Sequence, residues 1–124
     1  SLTLIRIKIV MSQTMLAYSL LAIAIISEVT GSTFLAKSEG FSKPLPTIIT
    51  MICFGIAFYL LSQVVKIIPL GIAYAIWSGV GIVLTAIIGY FILGNKLDLP
   101  AIAGMSLIVL GVIVINLFSH SATH

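Results

Sequence analysis

Four apolar stretches of roughly twenty residues each, parted by short charged breaks, constrain this chain more than any other feature. They run over about 16–36, 46–65, 70–93 and 100–119. Each has the length an α-helix needs to cross ~30 Å of hydrocarbon. The breaks are Lys37–Pro44, Lys66–Pro69 and Gly94–Pro100, and they hold turn formers as well as charge. Proline at a helix start is tolerated because the missing N–H has no partner there anyway. No stretch alternates apolar and polar residues, which argues against a β-barrel. Composition agrees: 60% of the 124 residues are hydrophobic and 7% charged, against about 25% charged in a soluble domain. A soluble fold would have almost nothing to present to water. The expected architecture is an all-α membrane protein, with four transmembrane helices in one domain over residues 15–124.

Residues 1–14 differ from the rest of the chain. Arg6 and Lys8 interrupt a short β-branched run. The apolar stretch after them is too long for a signal-peptide core, and no small-residue cleavage site follows it. The segment reads as an N-terminal extension, either non-native or from an alternative start. With it, the two sides of the membrane receive equal positive charge: Arg6, Lys8 and Lys66 on one, Lys37, Lys43 and Lys96 on the other. Without it the balance is one against three. The positive-inside rule then gives little orientation bias, and a chain that inserts both ways can form an antiparallel dual-topology homodimer. Four helices are also too few to enclose a water-accessible pathway, so a transport route implies at least two chains. The net charge of +3 is small and dispersed, unlike a nucleic-acid footprint.

Glu28 is the acidic residue inside an apolar stretch, with no basic residue within eight positions. A carboxylate in hydrocarbon costs several kcal/mol unless it is paired, hydrated or protonated. At helical spacing Leu21, Ala24, Ile25, Glu28, Gly31 and Ser32 share a face, with Tyr18 about 80° round from it. Gly31 and Ser32 lack bulk, so a helix or ligand can approach. One reading is a functional carboxylate facing a cavity. The other is a structural carboxylate paired with a lysine, but every lysine falls at a segment end. In an apolar surround such a group holds either a proton or a cation, and competition between the two is the minimum needed for exchange.

Tyr74 and Trp77 lie three apart in the third stretch, with Gly81 continuing that face. Ring faces attract organic cations by about 0.5–2 kcal/mol; the alternative is an interfacial anchor. Tyr59 and Phe58 would extend the aromatic lining. Gly79 and Gly81 permit a hinge, or close helix packing. Gly104 and Gly111 return to one face of the fourth stretch, a small-residue seam for association with a second copy, to which Asn116 would add a hydrogen bond. Cys53 reads as a small apolar side chain. His120 and His124 are too few and too terminal for a metal site, and no nucleophile triad or phosphate loop exists, so no metal, no cofactor and no enzyme activity are expected.

Together these features resemble the small multidrug resistance family. The resemblance covers residues 15–124 and rests on Glu28-Val-Thr-Gly-Ser-Thr33, Lys37-Ser-Glu-Gly-Phe41, the long run from Ile68 to Val83 around Tyr74, Trp77 and Gly79, and Leu97 to Met105. It implies antiparallel, dual-topology dimers in the bacterial inner membrane that export hydrophobic organic cations, quaternary ammonium compounds and cationic dyes, in exchange for protons by alternating access. It implies Glu28 as the shared proton and substrate site, Tyr18, Ser32, Tyr74 and Trp77 as the pocket, Gly79 to Gly81 as a third-helix kink, and Gly104 with Gly111 as the dimer seam. The residues after Glu28 look like the quaternary ammonium branch rather than the guanidinium branch, which carries a tryptophan there. Two departures are Lys66, which adds charge to the second loop, and Phe54, where some relatives have a tyrosine. Three alternatives remain open: an accessory subunit of a heterodimeric transporter, a guanidinium-type exporter, and a passive proton channel.

Overall fold

The computed structural model describes residues 1–119 and consists of four α-helices, α1 (Leu2–Lys37), α2 (Pro44–Val64), α3 (Leu70–Phe91) and α4 (Leu99–Phe118). His120 and His124 lie outside the described residues. Each helix is long and apolar enough to span a membrane. The protein is thus a four-span all-α membrane protein, and three of its helices begin and end within two residues of the apolar stretches.

The first helix departs from the expected start near residue 16. It begins at Leu2 and runs for 36 residues, roughly 54 Å at 1.5 Å per residue, well beyond the ~30 Å of hydrocarbon. No Gly or Pro interrupts the chain before Gly31, so nothing breaks the helix where the extension meets the apolar stretch. Residues 1–13 are exposed and touch no other helix face closely enough to be buried.

Local chemistry explains the other ends. Pro44 and Pro46 sit in the first turn of α2, where no donor is lost. Asp98 caps α4, its carboxylate accepting the Ala101 N–H at 3.0 Å. Between α1 and α2 the backbone passes through Glu39, Gly40 and Phe41 with φ of 49°, 70° and 65°. Only glycine adopts that region freely. The turn is held by Ser38, fully buried, whose Oγ donates to the Leu35 carbonyl at 2.7 Å and accepts from the Phe41 N–H at 3.1 Å. A Lys43–Glu39 ion pair at 3.4 Å spans the same loop. Within the membrane depth, hydroxyls of Ser19, Thr30 and Thr33 donate to the carbonyl four residues back, so these hydroxyl hydrogens do not face lipid unpaired.

α1 is the central helix. It packs against α2 and α3, while α4 packs mainly on α3. The buried stripe of α1 is Ala17, Leu21, Ala24, Ile25, Val29 and Gly31, the face that helical spacing predicts around Glu28. It meets Leu61 and Val64 of α2, Ile68 and Ala73. α2 and α1 approach closely at Gly31: a Cβ placed there would lie 2.8 Å from the Phe54 ring and 3.0 Å from the Cβ of Cys53. Thr50, fully buried, bridges the two helices by donating to the Gly31 carbonyl at 3.1 Å. The space beside Gly31 is therefore occupied by α2. No residue of α4 is buried.

Candidate functional site

Glu28 opens on a cavity of about 200 Å³ lined by Phe58 and Leu61 of α2 and Tyr74 and Trp77 of α3. Three helices build it, and α4 contributes nothing. Position 28 is half-buried. The Ser32 hydroxyl, one turn on, donates to the Glu28 Oε1 at 2.9 Å. No lysine or arginine pairs with this carboxylate among the described residues; the ion pair of the 37–44 loop is elsewhere. The site therefore presents a carboxylate with one hydroxyl partner, facing aromatic rings in an otherwise apolar setting.

Helix periodicity explains which aromatics reach it. Tyr74 and Trp77 are three residues apart and fall on one side of α3. On α2, Phe58 and Leu61 do the same, and the step from Phe58 to Tyr59 turns the next ring by about 100°. Tyr59 accordingly does not line the cavity, although the two rings are about equally exposed, 62% for Phe58 and 65% for Tyr59. Of the two rings expected to extend the aromatic lining, Phe58 borders the cavity and Tyr59 does not. Leu61 itself carried no sequence signal, because an aliphatic lining residue looks like any core residue. Tyr18 does not line the cavity; it packs against the core cluster. Ser32 acts on Glu28 directly rather than as a separate wall.

The glycines divide into two kinds. At Gly79 an added Cβ would meet Val112 of α4 at 2.7 Å, so this glycine lets α3 and α4 touch. At Gly81 the same atom would meet only the Trp77 ring, at 3.7 Å. α3 runs unbroken through both. Gly104 and Gly111 have nothing within 4 Å of an added Cβ and stand exposed on α4. Asn116 bonds within its own helix, donating to the Val112 carbonyl at 3.0 Å. Cys53 is half-buried at the α1–α2 contact.

Comparison with known proteins gives consistent matches. A family profile described as Small Multidrug Resistance protein matches residues 16–108. The chain is 51% identical over 107 residues to the multidrug transporter EmrE of Escherichia coli K12, covering 86% of this chain and 97% of that protein. It is 49% identical over 104 residues to the quaternary ammonium compound-resistance protein QacE of Escherichia coli, covering 84% and 94%. It is 46% identical over 104 residues to the quaternary ammonium compound-resistance protein QacC of Staphylococcus aureus, covering 84% and 97%.

Proposed function

The chain belongs to the small multidrug resistance family, and on that premise we propose that it exchanges protons for hydrophobic organic cations at Glu28. It is a transporter rather than an enzyme, a multi-pass protein of the bacterial inner membrane, and its relatives' names support efflux of drugs and quaternary ammonium compounds. The observation that carries the proton-coupled reading is the Glu28 carboxylate on an aromatic cavity with no ion-pair partner among the described residues.

The chemistry follows from that environment. A carboxylate in an apolar cavity is stable either protonated or beside a cation. Tyr74 and Trp77 favour an organic cation, whose charge their ring faces attract and whose apolar groups they cover. A metal ion, which needs several oxygen or nitrogen ligands, gains little from rings. Proton and cation therefore displace one another at one group. Ser32 holds Oε1 in a fixed direction and leaves the other oxygen for the ligand. A cavity of about 200 Å³ is below the ~300 Å³ lower end of small-molecule pockets. A second copy, inserted antiparallel and joined at Gly104 and Gly111, would supply the remaining wall and a second Glu28. Two carboxylates then hold protons or share one cation. Moving more protons in than cationic charges out lets the membrane potential assist, at ~2.3 kcal/mol per charge per 100 mV.

The decisive experiment uses vesicles with an imposed pH gradient. Glu28→Gln is expected to abolish both cation uptake and substrate-triggered proton release, while Glu28→Asp keeps binding with an altered pH profile. Full transport by Glu28→Gln would overturn the reading. Proton leakage without substrate would replace exchange by a passive channel.

A further inference from the structure

A second cavity system lies between α3 and α4. Two merging cavities of about 530 and 510 Å³ share Ala86, Ile87 and Ile102. One end is bounded by Lys96 in the loop before α4, the other by Leu110. From Leu99 to Leu110 α4 rises roughly 16 Å, about half the ~30 Å hydrocarbon thickness. The groove is thus one leaflet deep, apolar apart from Ser106, whose hydroxyl donates to the Ile102 carbonyl, and closed at one end by a cation. Lys96 forms no ion pair among the described residues, and the neighbouring Asp98 directs its carboxylate to the Ala101 N–H.

The groove is turned away from the carboxylate and from the glycine seam. On α3, Ala86 lies about half a turn from Trp77 and about 120° from Tyr74, and Ile87 about 140° from Tyr74 and about 80° from Trp77. On α4, Ile102 and its groove neighbour Val109 lie about half a turn from Gly104 and Gly111. A second copy seated on the seam leaves the groove open to lipid. Lys96 repels a cationic substrate and attracts a phosphate.

We propose that this groove retains an anionic phospholipid, one acyl chain along Ala86, Ile87 and Ile102 and the phosphate at Lys96. Glu28 and its cavity play no part, so the proposal stands apart from the transport reading. The test uses the purified full-length protein, equilibrated with an equal mixture of phosphatidylglycerol and phosphatidylcholine of matched chains, then delipidated and read by native mass spectrometry. Phosphatidylglycerol is expected to be enriched about fivefold, the factor that one surface cation supplies. Lys96→Gln should bring the enrichment to unity, Lys96→Arg should keep it, and Lys66→Gln in the opposite loop should leave it unchanged. Ala86→Trp should lower retention of both lipids by filling the groove. No enrichment in the wild type, enrichment that survives Lys96→Gln, or full retention in Ala86→Trp would overturn the proposal. So would an intermolecular disulfide through Ser106→Cys in a Cys53→Ser background, because a second copy would then occupy the groove.

Discussion

Glu28 was legible because charge inside hydrocarbon has few structural uses, and its neighbourhood follows from three- and four-residue spacing. Ser32 is one turn away and does hydrogen-bond to it. Phe58 and Tyr59 were both expected to extend the lining, and the step of about 100° between them leaves only Phe58 at the cavity, though both rings are largely exposed. Trp77→Ala is expected to weaken binding of aromatic cations by about 0.5–2 kcal/mol, up to roughly thirtyfold, while proton uptake at Glu28 is unchanged. Isothermal titration with an aromatic cation, beside proton release measured in the same sample, checks this; equal losses in both would make Trp77 structural. Substrate affinity should also fall as pH is lowered, because protons and the cation compete for the Glu28 carboxylate. Glu28→Gln removes that dependence.

Among the helices, small residues decide which surfaces touch. Gly31 admits the Phe54 ring and Gly79 admits Val112, whereas nothing among the described residues lies within 4 Å of a Cβ added at Gly104 or Gly111. The spacing of Gly79 and Gly81 allowed a hinge or a close contact, and α3 is continuous at both, with close contact at Gly79. Gly79→Ala is expected to destabilise the fold by about 1–3 kcal/mol, because the new methyl drives against a branched side chain. Val112→Ala should restore most of the loss. Gly104→Ala, with open space around it, should leave the single chain's helicity unchanged and weaken self-association instead. Thermal melts and cross-linking in detergent distinguish the two cases. A melt of Gly79→Ala equal to wild type would show that α4 moves away freely.

At the scale of the whole molecule residues 1–13 are exposed, so their charges are expected to act on the insertion balance rather than on the core. Arg6 and Lys8 lie on the continuous helix α1, within reach of the membrane surface on the side that also receives Lys66. The positive charges are then three against three, and the chain is expected to insert in both orientations. Deleting residues 1–14 leaves one against three and should bias the termini to the outside. C-terminal reporters active on one side only would read this. An unchanged ratio after deletion would show that the extension has no influence on orientation.

Sequence alone determined the number of spans, their ends to within two residues for α2 to α4, and the position of the one carboxylate in hydrocarbon. Apolar length and helical period are local properties, and lipid leaves the backbone no choice but to pair within each helix. Sequence did not determine how far α1 continues, because an apolar pattern marks where lipid begins and not where a helix with no Gly or Pro must stop. Nor did it determine that α1 sits between α2 and α3 while α4 packs mainly on α3. All four faces are apolar, so hydropathy cannot rank the contacts. The close approaches at Gly31 and Gly79 rank them, and they place the groove beside Lys96 on the side of the molecule away from Glu28.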